Sequence, residues 1–439
     1  MQQPASNKPS GGPLAPLQGR GKAVLRHRLF CCGRHVHRYG AAMISVPAKR
    51  THRGILLAAL AILVALPLAA WVWNPAMMLV VGFELASLTQ RNGGPPGDCS
   101  GQWSLSIDAS RPWLVPFYPE TNATYRLMVL DANAGDDSLD FTLSGTLPRA
   151  RYSSLHVYDA DTAEILLART GEELAEGTSS DWQLTLQQAT KGTDARAIAL
   201  IRPGARRLAF VWRSYLPQGE ETLPRITAIN SSTGAALENC RNRFTLPQTV
   251  TDREAQRQRD TVLANMANQQ RDMQSSGVGF PIRFYVRHAA STPFFANQHI
   301  TYAFAPLLRD EGPALIRFRP PPGLRYWSAC IGGLRETSTS ACLADTEVSI
   351  GEEGMAYFLV GPKTDALEQL AANNGWNFLR SDWFMGNRIF ILRELITQTP
   401  PPGARLFANL PDFDNAKPLD VQFADGLLGE FAPVGRYLR

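Results

Sequence analysis

LDFTLSGTLPRARYSSLHVYD, residues 139–159, and ALIRFRPPPGLRYWSACI, residues 314–331, are two renderings of one pattern. Each runs from an alternating strand through a proline-containing turn into Arg-Tyr-x-Ser, where a second strand opens, and the two arginines, Arg151 and Arg325, lie 174 residues apart. Self-similarity over such a distance predicts two modules built on one plan. Around both copies Val, Ile, Leu and Phe alternate with polar residues, and Gly, Pro, Asp and Asn break the runs, as in residues 201–219 and 351–363. A period of two is the signature of a strand with one face buried, and frequent turn residues favour antiparallel connections. The expected fold is therefore mainly β: two tandem antiparallel β-sandwich, jelly-roll-like modules at 95–248 and 280–396.

Between the modules the pattern changes. Thr251-Asp252-Arg253-Glu254 reads as a capping box, no Gly or Pro follows through Gln274, and Gly277 stands where a helix would stop. One connecting helix is expected over 251–276. Its thin apolar stripe of Ala255, Val262, Met266 and Met273 suits a helix lying on a module surface or bridging the two. A strand is expected from Arg388 to Leu395, and the last stretch, 397–439, reads as an irregular, Pro-rich tail packed along the second module.

Ahead of the modules, GILLAALAILVALPLAAWVW, residues 54–73, is uncharged. Twenty residues at about 1.5 Å each cross the roughly 30 Å hydrocarbon core of a bilayer once. Lys49, Arg50 and Arg53 precede it, which predicts a cytoplasmic N-terminus, a single-pass transmembrane anchor within 54–82, and everything after it outside the cytoplasm. A cleaved signal peptide is the alternative, but cuts after Ala70 or Ala76 would put Leu68 or Asn74 where a small residue belongs. Residues 1–53 carry ten Lys and Arg and no acid, and read as a basic, disordered cytoplasmic segment; Met43 offers a second start.

The net charge of +5 is a property of topology. Residues 1–53 carry +10 and the remaining 386 carry −5, so the exported part gives no reason to expect a nucleic-acid partner. Four cysteines follow the anchor, Cys99, Cys240, Cys330 and Cys342, an even number for an oxidising compartment. Three pairings exist; the expected one is Cys99–Cys240, closing the first module end to end, with Cys330–Cys342 closing a local loop. No metal motif and no cofactor are implied: no C-x-x-C occurs there, and only His156, His288 and His299 follow the anchor.

The stretches 118–125, 150–159, 324–330 and 342–345 resemble an uncharacterised group of exported bacterial proteins and, more distantly, paired bacterial domains of unknown function with a W-S-x-x-x-Y-D strand pattern. The similarity extends from about Cys99 to Leu395. It implies a β-rich, exported protein, makes the membrane that 54–73 would cross the inner membrane of a bacterium, and brings no agreed reaction.

The candidate ligand-binding surface is the strand after each Arg. Alternate side chains of a strand share a face, so Tyr152, Ser154, His156 and Tyr158 line one side, with Tyr326 and Ser328 their counterparts and Cys330 in the place of His156. Arg151 and Arg325 open the two copies. A Ser154–His156 dyad is disfavoured, because residues i and i+2 of a strand stand nearly 7 Å apart, and no G-x-S-x-G elbow occurs. The plainer expectation is that each arginine is fixed by a carboxylate or turn carbonyls, that the tyrosines cover the sheet and that the serines bond neighbouring backbone. Asp159 and Asp161 in VYDADTAE suit a turn held by local amide bonds, with a calcium ion as the alternative.

Three functions fit: a membrane-anchored envelope protein binding a partner, glycan or lipid through the paired modules; a periplasmic hydrolase with a cleft between them, using Tyr152, His156, Glu120 or Asp345; or a structural spacer. The first asks least of the sequence.

Overall fold

The computed structural model describes residues 96–438, leaving aside 104, 108–117, 135–136, 176–178, 189–199, 202–204, 239, 241–252, 277–281, 288–294, 335–337, 383–385, 397–404 and 410–426. All of these belong to one compact unit. The basic segment and the apolar run at 54–73 lie outside the described residues, as do His288 and Thr251 and Asp252 of the expected capping box. Among the described residues no helix is long and apolar enough to cross a membrane.

The protein is mainly β, with several antiparallel sheets. Its first half contributes β1 (Leu105–Ile107), β2 (Ala123–Asp131), β3 (Asn133–Ala134), β4 (Asp137–Thr146), β5 (Tyr152–Asp159), β6 (Ile165–Thr170), β7 (Asp181–Gln188), β8 (Leu200–Ile201), β9 (Arg207–Tyr215) and β10 (Arg225–Asn230). The second half contributes β11 (Tyr285–Arg287), β12 (Ile300–Leu307), β13 (Ala314–Phe318), β14 (Tyr326–Gly333), β15 (Thr339–Ala344), β16 (Ala356–Gly361), β17 (Asn377–Arg380), β18 (Arg388–Leu395) and β19 (Val434–Tyr437). Among the described residues three α-helices accompany them: α1 (Gly171–Leu174), α2 (Arg253–Ser275) and α3 (Asp365–Asn373).

The two halves have the same topology. One sheet runs β1-β2-β9-β5-β6 in the first half and β11-β12-β18-β14-β15 in the second, antiparallel throughout. The other runs β10-β4-β7-β8 and β19-β13-β16-β17, and in both the last pair is parallel. Even the irregularities correspond, with register shifts at Val157/Tyr158 and at Ile331/Gly332. The duplicated sequence pattern thus spells out the β4–β5 and β13–β14 units of a duplicated fold. β19 lies in the stretch expected to be irregular: it supplies the second half with the edge strand that β10 supplies to the first, and β13 offers its backbone groups a partner.

Each half has its own apolar core drawn from both of its sheets. In the first, Met128, Leu155, Phe210 and Trp212 meet Phe141, Leu143, Trp182 and Ile226; in the second, Trp327, Ile331, Phe390 and Leu392 meet Ile316, Phe318, Phe358 and Val360. Removing one such aromatic would cost about 3–5 kcal/mol through lost transfer energy and the cavity left behind. Both expected bridges, Cys99–Cys240 and Cys330–Cys342, are present.

Local chemistry sets the helices. Thr170 and Glu173 form a capping box on α1, and the Thr364 hydroxyl caps α3 by accepting the Leu367 N–H. α2 falls within the expected connecting segment. Met266 packs with Tyr285 and Phe304, and the Gln270 side chain accepts the Arg283 N–H, so the helix lies against the second half.

Candidate functional site

The strand β5 is buried on both faces. Leu155 and Val157 point into the first core, while Tyr152, Ser154, His156 and Tyr158 face the other way and are 0–2 % exposed. Tyr326 and Ser328 on β14 are equally enclosed. The polar aromatic face does not open to solvent; it is the joint between the two halves.

The joint is built of paired contacts that repeat with the halves exchanged. The Nε of Arg151 donates to the Arg325 carbonyl oxygen at 2.8 Å, and the Nε of Arg325 donates to the Arg151 carbonyl oxygen at 3.0 Å. Each guanidinium then meets a carboxylate of the opposite half, Asp345 for Arg151 and Glu172 for Arg325. Each arginine was expected to have a carboxylate or turn carbonyls and has one of each, with every partner across the joint; the Ser154 and Ser328 hydroxyls, expected to bond neighbouring backbone, bond no backbone group among the described residues, because the strand ladder already pairs the backbone around them.

Two short segments complete the exchange. Residues 118–122, ahead of β2, lie over the second half, and residues 295–299, ahead of β12, lie over the first. The Tyr152 hydroxyl reaches Asn297 Oδ1 at 3.4 Å and stands 2.6 Å from His299 Nδ1, while the Tyr326 hydroxyl donates to Glu120. Tyr158 donates to the Ala296 carbonyl, and His156 Nε2 accepts the Gln298 N–H. Opposite them, Thr121 Oγ1 accepts the Cys342 N–H. Tyr152, Tyr215 and Tyr326 stack edge to face at 5.4 Å centroid spacings, bringing aromatic area from both halves into one cluster.

Two buried arginines, absent from the sequence-based candidates, stand beneath these segments. In register, Arg213 lies between Tyr125 and Ser154, and Arg393 lies between Tyr302 and Ser328. Arg213 donates to the Phe295 carbonyl and Arg393 to the Tyr118 carbonyl, so each ties down the crossing segment of the other half. A signal for these segments was present in the spacing: Tyr118…Thr124-Tyr125 recurs as Phe295…Thr301-Tyr302.

Burial governs the electrostatics. It pushes the Tyr158 hydroxyl to about 12 and those of Tyr152 and Tyr215 above the ordinary range, so the phenols stay protonated. It pulls His156 well below the usual histidine value, helped by the Arg213 charge, and lowers His299 as well. The Glu120 carboxyl is raised to about 7, desolvation outweighing the favourable charge of Arg393. Cys330 takes the place of His156 in the second half and is bridged to Cys342 beside the Arg393 guanidinium. In the VYDADTAE turn Asp159 accepts the Asp161 and Thr162 amides and Asp161 pairs with Arg207, the local arrangement expected of short carboxylates.

No protein-family model matches the chain, and no curated protein matches it. Among solved structures, an uncharacterised protein from Burkholderia cenocepacia is 11% identical, with 76% of this chain and 86% of that chain covered and a TM-score of 0.48. A protein from Vibrio parahaemolyticus is 10% identical over 73% of this chain and 90% of that chain, with a TM-score of 0.35.

Proposed function

We propose that this chain is a membrane-anchored envelope protein, tethered through residues 54–73 with its bulk outside the cytoplasm, whose two β-sandwich modules act as one rigid body that binds a partner, glycan or lipid on its outer surfaces. The supporting observation is the joint itself: a polar, aromatic strand face of each half is consumed by the other half, with reciprocal bonds through Arg151 and Arg325. A hydrolase working in a cleft between the modules would need substrate to reach Tyr152, Ser154 and His156, and these are enclosed by residues 295–299. Membrane tethering rests on the length and flanking charges of the apolar run, and the bridges suit an oxidising compartment.

A reporter that is active only outside the cytoplasm, fused after residue 90, tests the topology: activity is expected, and strong activity of a cytoplasmic reporter at the same point would overturn it. A glycan and lipid-vesicle binding screen with the purified protein and with Tyr152→Phe tests the location of binding. Equal binding by both is expected; loss in the folded Phe variant would return the site to the joint.

A further inference from the structure

The two halves part company where His156 and Tyr158 of the first are replaced by Cys330 and Gly332 of the second. In the first half the Tyr158 hydroxyl accepts from Arg213. Gly332 has no side chain to offer, and the corresponding guanidinium, that of Arg393, gives its Nη1 to the Cys330 sulfur, 3.9 Å from the Cys342 sulfur, while its Nη2 donates to the Tyr118 carbonyl.

The Cys330–Cys342 bridge is not what pairs its strands. Cys330 faces Cys342 in the β14–β15 ladder, and at the same place in β5–β6 His156 faces Ala168 with no bond between them. The Cys342 N–H points away from β14, to Thr121 Oγ1, so the two cysteines form a cross-strand pair without mutual backbone bonds, the kind in which side chains approach closest. The ladder therefore presents the sulfurs to each other whether or not they are joined, and the bridge can open and close without the sheet coming apart.

A disulfide sulfur is a weak acceptor for a buried guanidinium. Arg393 is 3 % exposed, does not shed its proton, and has no ion pair among the described residues; the Glu120 carboxyl, on which its charge acts, is held toward the protonated form by burial. The anion that satisfies this guanidinium is a thiolate on Cys330, which exists only when the bridge is open. A cation beside a cysteine stabilises its thiolate and makes it the better leaving group. Cys342 is the sulfur that an incoming thiolate meets: it lies on the edge strand β15 and is 7 % exposed, whereas Cys330, on the inner strand β14, is fully enclosed.

We propose that Cys330–Cys342 is a redox-active bridge that exchanges with a dithiol. One thiolate of the dithiol attacks Cys342 Sγ, the Cys330–Cys342 bond breaks, and Cys330 keeps its electron pair as a thiolate against Arg393. The second sulfur of the dithiol, as a thiolate, then attacks the first and releases Cys342, which takes a proton from water. The bridge gains two electrons and the dithiol becomes a disulfide. Arg393 is the positioning residue of the exchange, and because it also holds the Tyr118 carbonyl, the state of the bridge bears on the crossing segment 118–122. Cys99–Cys240, whose sulfurs meet no guanidinium among the described residues, stays closed as a structural bridge. The exchange is separate from binding on the outer surfaces.

The test takes the full-length protein in detergent at pH 8 through mixtures of reduced and oxidised dithiothreitol, alkylates the free thiols and assigns them by peptide mass. Cys330 and Cys342 are expected to open together at a reductant ratio that leaves Cys99 and Cys240 joined. Reduced glutathione, a monothiol, is expected to leave a mixed disulfide on Cys342 and none on Cys330. In Cys342→Ser the alkylation rate of Cys330 against pH is expected to have its midpoint about one unit or more below the ordinary thiol value of about 8.5. Arg393→Gln is expected to raise that midpoint and to raise several-fold the reductant ratio that opens the bridge. Opening of Cys99–Cys240 at the same ratio or earlier, glutathione carried on Cys330, a Cys330 midpoint at or above the ordinary value, or an unchanged ratio in Arg393→Gln would each overturn the proposal. Should Arg393→Gln fail to fold, the Cys330 midpoint in Cys342→Ser decides it.

Discussion

Arg151 and Arg325 each donate through Nε to the other's carbonyl oxygen, a closed two-bond ring between residues 174 positions apart in the chain. A single contact of this kind could be incidental. Here the same reciprocity governs Tyr152 and Tyr326, Arg213 and Arg393, and the two crossing segments, so the joint is one surface used twice. Each half hides the face that the other would otherwise leave unpaired, and burial of polar strands on both faces becomes tolerable because every crossing segment brings donors and acceptors.

Breaking that ring tests how much the joint contributes. The side chain of Arg151 is 42% exposed and that of Arg325 33%, so the ion pairs to Asp345 and Glu172 are weakened by solvent and the carbonyl bonds matter more. Arg151→Ala and Arg325→Ala are each expected to lower stability by about 1–2 kcal/mol in urea denaturation. The double variant should lose less than the sum, because the second substitution finds the ring already open. Strict additivity would show the two bonds to be independent.

The bridges should differ in weight. Cys99–Cys240 spans 141 residues and Cys330–Cys342 spans 12, so chain-entropy scaling assigns about 5 kcal/mol to the first and about 3 kcal/mol to the second. Replacing Cys99 and Cys240 by Ser should therefore lower the denaturation midpoint more than the same change at Cys330 and Cys342, where strand register already holds the ends together. The reverse order would mean that the second bridge is chiefly a fastening of the joint.

How far these features were legible follows from the range of the physics involved. The strands, the duplicated plan and the local bridge express patterns within a few residues, and β14 and β18 fall where alternation placed them. The pairing of Arg151 with Arg325 was half legible: a carboxylate and a carbonyl were expected, but nothing local tells whether the partner lies in the same half. Arg213 and Arg393 were missed because a charged residue in a strand reads as its solvent face, and only the crossing segments turn that face inward. β19 was missed for a related reason: four residues at the end of a Pro-rich stretch acquire strand geometry from β13, not from their own pattern.

The buried acids predict a pH dependence with a definite sign. Glu120 is raised to about 7 and Glu394, enclosed in the second core with only the Phe407 N–H to stabilise its charge, to about 8. In the unfolded chain both titrate near the ordinary value of about 4.3. The folded state therefore holds protons that the unfolded state releases. Their contribution is complete below the unfolded value, declines as pH rises through the folded values, and levels off above them, with the larger shift, that of Glu394, carrying the larger share. Urea denaturation should show lower stability at about pH 9 than at about pH 5, with Glu394→Gln flattening the profile at its upper end and Glu120→Gln near neutrality. A profile rising with pH in this window would reverse the assignment.

Gly332 offers a test of the crossing segments themselves. It occupies the position of Tyr158 in the duplicated plan, and in its half the space above the strand is filled by Tyr118 arriving from the other half. A Cβ at Gly332 would lie 2.5 Å from the Ser338 carbonyl oxygen and 3.0 Å from the Tyr118 ring. The first contact is with backbone and cannot swing aside, and the second presses on a tyrosine whose hydroxyl donates to the Gly333 and Leu334 carbonyls. Gly332→Ala should cost about 1–3 kcal/mol, as overpacking does in a filled interior. Gly145→Ala, also in a strand but with nothing nearer than 3.5 Å to the new Cβ, is the control and should change stability by much less. If the two variants unfold at the same urea concentration, residues 118–122 do not rest on the second half in solution, and the exchange of segments is not what holds the joint together.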